Sequence, residues 1–202
     1  MDSIVLAITG ASAIQLGERS LQLLLENNRK VDLILSKSAY EVAKSERNLR
    51  IPVETKAQGI FWRERLNVLT GELCCHRWND NSAPIASGSY KTKGMVIVPC
   101  SMGTLGRIAS GVSLSLIERC ADVHLKESRT LLISPRETPL NLIHIENMKK
   151  LILAGALIVP PIPAWYTNPT SIEDLIDFIV VRLFDSLNEN LNDINRWQGP
   201  KK

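Results

Sequence analysis

MVIVPCSMGTLGRIASGVSLSLIERCADVHLKESRTLLISPRETP, residues 95–139, holds a strand, a helix-opening turn and a second strand in the order of an α/β unit. Met95-Val96-Ile97-Val98-Pro99 is a short branched apolar run of the length expected for a strand buried on both faces. Ser101, Gly103 and Thr104 follow, placing hydroxyls and backbone N–H groups where a helix begins, a site that can hold a phosphate without a metal. A second apolar run, Thr130 to Ser134, ends in Arg136-Glu137-Thr138-Pro139, so a guanidinium and a carboxylate leave the carboxyl end of another strand. Open α/β sheets bind ligands at that edge. The two strand ends therefore mark the expected crevice.

Toward the amino terminus, Ser3 to Ile8 reads as a buried strand, and Thr9-Gly10-Ala11-Ser12 as a turn into an amphipathic helix reaching about Glu26, with Leu21, Leu24 and Leu25 on its apolar side. The turn lacks both the G-x-G-x-x-G of a dinucleotide fold and the lysine of a P-loop. It reads either as a site of close ligand approach or as a tight turn that packs the helix on the sheet. Val31 to Leu35 is the next strand, and Ser36 at its end faces the same crevice as Ser12 if the two strands are parallel neighbours. The helix from about Ala39 to Arg47 carries Glu41 and Glu46; most such charges are solvated, and Glu46 stands near enough to the helix end to reach a neighbouring site. Between Asn48 and Tyr90 periodicity is weak. A short helix is expected around Ala57 to Leu69, and Ala86-Ser87-Gly88-Ser89 reads either as a loop laid against a planar ligand or as a surface loop.

Beyond the central strand, helices are expected over 103–110 and 113–125, and Arg119 and Lys126 lie two turns apart on one face. A helix over 141–153 and a strand over 156–159 follow. Pro160 to Tyr166 is a stiff loop presenting Trp165 and Tyr166. Ser171 with Glu173-Asp174 opens a final helix running to about Leu187, and Arg182 lies on it. The alternation predicts a three-layer α/β sandwich around a mainly parallel sheet, in one domain over 1–202 with a core to 187 and a tail from 188.

Lys and Arg number 24 against 21 acids, a net charge of +3, so no basic field argues for nucleic acid. Apolar runs fall short of the roughly 20 residues of a membrane span, and Met1-Asp2-Ser3 lacks the basic start of a signal peptide, so a cytoplasmic protein is expected. Cys74, Cys75, Cys100 and Cys120 form no C-x-x-C pair and His76, His124 and His144 have no metal-pair spacing, so reduced thiols and no metal are expected. Ser12, Ser36, Ser101, Thr104 and Arg136 suit a phosphorylated ligand, while Arg119, Lys126, Arg182 and Tyr166 could form a second anion site. Two phosphate-bearing molecules held together are implied.

Several of these motifs occur in the order of a known family. Thr9-Gly10-Ala11-Ser12, Ser36-Lys37, Ala86-Ser87-Gly88-Ser89, Val98-Pro99-Cys100-Ser101 with Thr104, Leu116-Ile117-Glu118-Arg119, Ala121-Asp122, Leu125-Lys126-Glu127, Arg136-Glu137-Thr138-Pro139 and Pro163-Ala164-Trp165-Tyr166 together resemble the UbiX-type flavin prenyltransferases. The likeness runs from about Ile4 to Arg196-Trp197-Gln198-Gly199.

The resemblance implies a flavodoxin-like homo-oligomer, dodecameric in that family. Such an enzyme joins a dimethylallyl group from dimethylallyl monophosphate to N5 and C6 of reduced FMN. The product, prenylated FMN, is the cofactor of a UbiD-type decarboxylase, commonly in ubiquinone biosynthesis. By the same likeness, Gly10, Ala11, Ser12, Ser36, Ser101, Met102, Gly103, Thr104 and Arg136 would bind FMN. Tyr166 and Arg182 would hold the dimethylallyl phosphate with Arg119 and Lys126, and Glu46, Glu137, Ser12 and Tyr166 would be catalytic, some from neighbouring subunits. Ala13 stands where the family has a further glycine, and Leu114-Ser115 replaces a more polar pair; if position 13 needs positive φ, alanine is strained there. A noncatalytic FMN carrier, a flavin-dependent cysteine decarboxylase of the same fold and a plain structural subunit are the alternatives. The chain lacks the aspartate-rich pair of magnesium-dependent diphosphate prenyltransferases.

Overall fold

A computed structural model describes residues 2–189 and 191 of the chain. The Arg196-Trp197-Gln198-Gly199 segment, and most of the expected tail, lie outside them. The described residues build one parallel sheet from β1 (Ser3–Ile8), β2 (Lys30–Leu35), β3 (Glu72–His76), β4 (Thr92–Cys100), β5 (Leu131–Pro135) and β6 (Leu157–Ile158). Their order across the sheet is β3-β2-β1-β4-β5-β6, with every neighbouring pair parallel. Connections go outward to one edge from β1 and to the other from β4. The carboxyl ends of β1 and β4 thus sit at the reversal point where doubly wound sheets hold ligands.

The helices are α1 (Ile14–Glu26), α2 (Lys37–Arg47), α3 (Thr55–Leu66), α4 (Met102–Ala109), α5 (Leu116–Lys126), α6 (Leu142–Leu153) and α7 (Ile172–Asp185). Because strand side chains alternate, Ile4, Leu6 and Ile8 pack with α1, α2, α3 and α7 on one face. Val5 and Ala7 face α4, α5 and α6 on the other. This is the three-layer sandwich expected from the sequence. Arg19 on α1 grips Asp177 on α7 through Nε to Oδ1 at 2.6 Å and Nη2 to Oδ2 at 3.0 Å, fixing α7 beside α1.

One expectation is corrected. β3 lies inside the stretch read as irregular; Glu72-Leu73-Cys74-Cys75-His76 has too little apolar character to mark an edge strand by itself, and its pairing with β2 makes it one. Glu118 on α5 is buried, 2% exposed. No helix among the described residues is long and apolar enough to cross a membrane.

Candidate active site at the carboxyl edge of the sheet

Thr9 ties the two central strands together. Its backbone N–H and its hydroxyl both donate to Pro99 O, at 3.2 and 2.9 Å, and the same hydroxyl oxygen accepts from Ser101 N at 2.8 Å. Ser36 N donates to Ile8 O at 2.9 Å, and Arg136 N donates to Cys100 O at 3.0 Å. Four loops, those after β1, β2, β4 and β5, are therefore laced side by side. Ser36 caps α2 by accepting from Ala39 N at 3.2 Å, and Ser101 caps α4 by accepting from Thr104 N at 3.3 Å. Both helix N-termini open at this edge, where the remaining backbone donors and the helix dipole favour an anion. Gly10 leaves no room for a side chain: a Cβ there would stand 2.3 Å from Ser38 Oγ.

The carboxylates flank this row. Glu46 Oε2 accepts from Ala13 N at 3.3 Å, so the end of α2 folds back over the turn that opens α1. Ala13 has φ 75° and ψ 45°, the left-handed conformation that glycine adopts freely. Arg136 and Glu137 are exposed just past β5, and Glu137 Oε1 accepts from Thr138 N at 3.0 Å. Cys100 is buried beside them, and that burial pushes its thiol up to about 12. It therefore supplies no thiolate at neutral pH.

A cleft of about 400 Å³ opens from this edge, lined by Ser36, Lys37, Ser38, Trp78, Thr104, Arg107, Leu114, Ile117 and Glu118. Its volume lies in the range of small-ligand sites. Arg107 Nε donates to Glu118 Oε1 at 2.5 Å and Nη2 to Thr104 Oγ1 at 3.2 Å, while Glu118 Oε2 accepts from Ser115 N at 2.6 Å. Two larger hollows, of about 590 Å³ between α3 and β3 and about 520 Å³ between α1 and α7, lie away from the strand ends. Donors and helix N-termini, rather than size, single out the smaller cleft. Trp78, Arg107, Leu114 and Ile117 are lining residues that the sequence reading did not assign. The Ser115-x-x-Glu118 spacing of a capping box was the one readable signal for this wall.

The remaining expected residues stand elsewhere. α5 runs back from the crevice toward the amino edge of the sheet, where Arg129 just beyond it donates to Tyr90 O at 2.7 Å and also to Gly88 O. Lys126, paired with Glu127, belongs to that edge. Arg119 donates to Ala86 O at 3.1 Å and to Asp122 Oδ2 at 2.7 Å. Gly88 makes room for Glu127 and Lys126, so the Ser87-Gly88-Ser89 loop packs on the end of α5 rather than over this chain's own crevice. Tyr166 stacks edge-on against Phe178 of α7 at 5.9 Å, and Arg182 pairs with Asp185 at 2.9 Å. Both sit in the opposite helical layer from α5. One chain thus gathers Gly10, Ala11, Ser12, Ser36, Ser101, Met102, Gly103, Thr104, Arg136, Glu46 and Glu137 at one edge, and separates Arg119 and Lys126 from Tyr166 and Arg182.

Comparison with known proteins gives a consistent picture. Residues 1–184 match the family model described as Flavoprotein. A flavin prenyltransferase UbiX of Synechocystis sp. is 46% identical over 197 residues, covering 97% of this chain and 96% of that protein. Among solved structures, AnUbiX (PadA1) in complex with FMN and dimethylallyl pyrophosphate superposes with a TM-score of 0.87 at 41% identity, covering 99% of each chain. A dodecameric FMN-dependent UbiX-like decarboxylase from Escherichia coli O157:H7 gives a TM-score of 0.84 at 36% identity, covering 98% of this chain and all of the other, 100%. With a family model matched over most of its length and relatives of this identity over nearly all of it, the chain belongs to the flavoprotein family and, within it, to the UbiX-type flavin prenyltransferases.

Proposed function

We propose that this chain joins a dimethylallyl group to reduced FMN, as a single flavoprotein domain working in the cytoplasm. The observation that carries the reading is the lacing of Ser36, Ser101 and Arg136 to neighbouring strand ends through Ile8 O, Thr9 and Cys100 O. FMN fits these residues. Two capped helix N-termini suit its phosphate, and the cleft walled by Trp78, Leu114 and Ile117 suits a planar ring. Gly10, Ala11, Ser12, Ser36, Ser101, Met102, Gly103, Thr104 and Arg136 would hold it.

Reduced FMN supplies the two ring positions, N5 and C6, to which the dimethylallyl group becomes joined. The chain's part is to hold the donor and to manage charge and protons. Departure of phosphate from an allylic carbon develops negative charge on the leaving oxygens, and Arg136, Arg119, Lys126 and Arg182, with the Tyr166 hydroxyl, offset it. Trp165 and Tyr166, both largely exposed, wall the cationic allyl group. Glu137, or the departing phosphate, accepts the carbon-bound proton released on ring closure. Glu46 fixes the α1 turn through Ala13 N and stands as the second acid/base group beside Ser12. The monophosphate is the proposed donor; the structural relative was solved with the pyrophosphate.

Arg119 and Lys126 lie in one helical layer, and Tyr166 and Arg182 in the other, so the donor site is completed between subunits of a homo-oligomer. An exposed apolar run along α6, with Leu142, Ile143 and Leu153, supports such assembly, and the Escherichia coli relative is dodecameric. The product passes to a UbiD-type decarboxylase.

Anaerobic incubation with reduced FMN and either dimethylallyl monophosphate or pyrophosphate, followed by mass spectrometry of the released flavin, tests the reading. A flavin heavier by one dimethylallyl unit is expected. Arg182→Ala and Tyr166→Phe should keep flavin binding and slow prenylation by about 10²–10³, the scale of losing one charge-stabilising donor. Bound but unmodified flavin would instead make the protein a carrier.

A further inference from the structure

We propose that Asp32, Cys74 and His76 form a binding site for a zinc-like divalent metal at the β2–β3 edge, outside the residues that line the carboxyl-edge crevice. The three residues come together through register rather than sequence spacing. Asp32 on β2 pairs with Cys74 on β3, and His76, two residues further along β3, projects from the same face. Their ligand atoms, Asp32 Oδ, Cys74 Sγ and His76 Nε2 or Nδ1, all lie within 4.8 Å of one another. The neighbouring Cys75 points to the opposite face, into the core with Leu33.

The donor set is one imidazole nitrogen, one thiolate and one carboxylate oxygen. That combination suits Zn²⁺, with water in the fourth place. Around a tetrahedral zinc such atoms stand about 3.3 to 3.6 Å apart. The present 2.7 Å between His76 Nε2 and Asp32 Oδ1 has to widen by about 0.6 Å, a shift within side-chain reach. Tyr90 OH donates to Asp32 Oδ2 at 3.2 Å and orients the carboxylate from behind, as outer partners of metal ligands do. Burial raises the Asp32 carboxyl, but its hydrogen-bond partners, His76 foremost, outweigh that and hold it below the usual carboxylate range. Burial also holds the Cys74 thiol above its usual range. Metal uptake displaces the Cys74 proton, because the thiolate is the ligand form. Cys74 is exposed, which gives the ion a way in. Bound there, the metal fastens the edge strand to its neighbour.

The test uses the flavin-loaded protein, stripped with a chelator and titrated with Co²⁺ under anaerobic conditions. One equivalent per chain should give visible d–d bands and an intense near-ultraviolet thiolate-to-cobalt band. Cys74→Ser, a substitution at an exposed position, should abolish the near-ultraviolet band, Cys75→Ser should keep it, and His76→Gln should weaken Co²⁺ binding by more than about tenfold, the loss that even an outer partner can bring. Absence of the band, its survival in Cys74→Ser, or its loss in Cys75→Ser would overturn the proposal.

Discussion

Ala13 shows how one residue records a constraint. Its left-handed backbone opens α1 while its N–H donates to Glu46, and an L-residue in that conformation carries about 1–2 kcal/mol of strain. Glycine would remove the strain but return about 0.4–1 kcal/mol through greater freedom of the unfolded chain. Ala13 also packs a partly buried methyl on the core. Strain is the larger effect, so Ala13→Gly should stabilise the protein by about 0.5 kcal/mol and raise Tm by about 1–2 °C in a calorimetric scan. A lower Tm would mean that the methyl contact outweighs the backbone. The conflict at this position showed only through the family resemblance, which places a glycine there; the residues alone do not give the handedness of the turn. Arg107 gave no such sign: its partners Glu118 and Thr104 meet it only after α4 and α5 pack.

At the scale of elements, α5 is fastened at both ends. The Ser115/Glu118 capping box fixes its start, and His124 bolts its last turn to β4, with Nδ1 donating to Cys120 O at 2.7 Å and Nε2 accepting from the Thr92 hydroxyl at 2.8 Å. Burial lowers the His124 pKa. The unfolded state therefore binds the extra proton first, near the ordinary histidine value of about 6.5, and stability falls as pH drops from there toward the lowered folded value. The slope contributed is at most about 1.4 kcal/mol per pH unit. Urea unfolding at pH 7.5 and 5.5 should show this loss, and His124→Gln should flatten it; equal pH dependence in both proteins would rule the histidine out. Elements built on continuous apolar runs, such as β1 and β5, were legible almost to the residue, and β4 was legible in its apolar centre, though it begins three residues before Met95, at Thr92. β3 was not, because its identity depends on pairing with β2, and the cleft wall was only partly legible because Trp78 reaches it through a long-range bond, Leu116 N to Trp78 O at 2.7 Å.

For the whole molecule, the exposed apolar side chains along α6 exceed what scattered surface residues explain: Leu142, Ile143 and Leu153 are 72%, 70% and 79% exposed. Ile143→Asp should therefore reduce the assembly to smaller species, measured by light scattering, while the isolated fold survives because that side chain is outside the core. An unchanged mass would exclude this face as an interface. The position of Lys126 has a further outcome. It stands at the amino edge of the sheet and Glu137 at the carboxyl edge, so a reaction that uses both draws them from different chains. Lys126→Ala and Glu137→Gln proteins, each inactive alone, should complement one another when produced together in one cell, because a fraction of the mixed assemblies will hold a site with both groups intact.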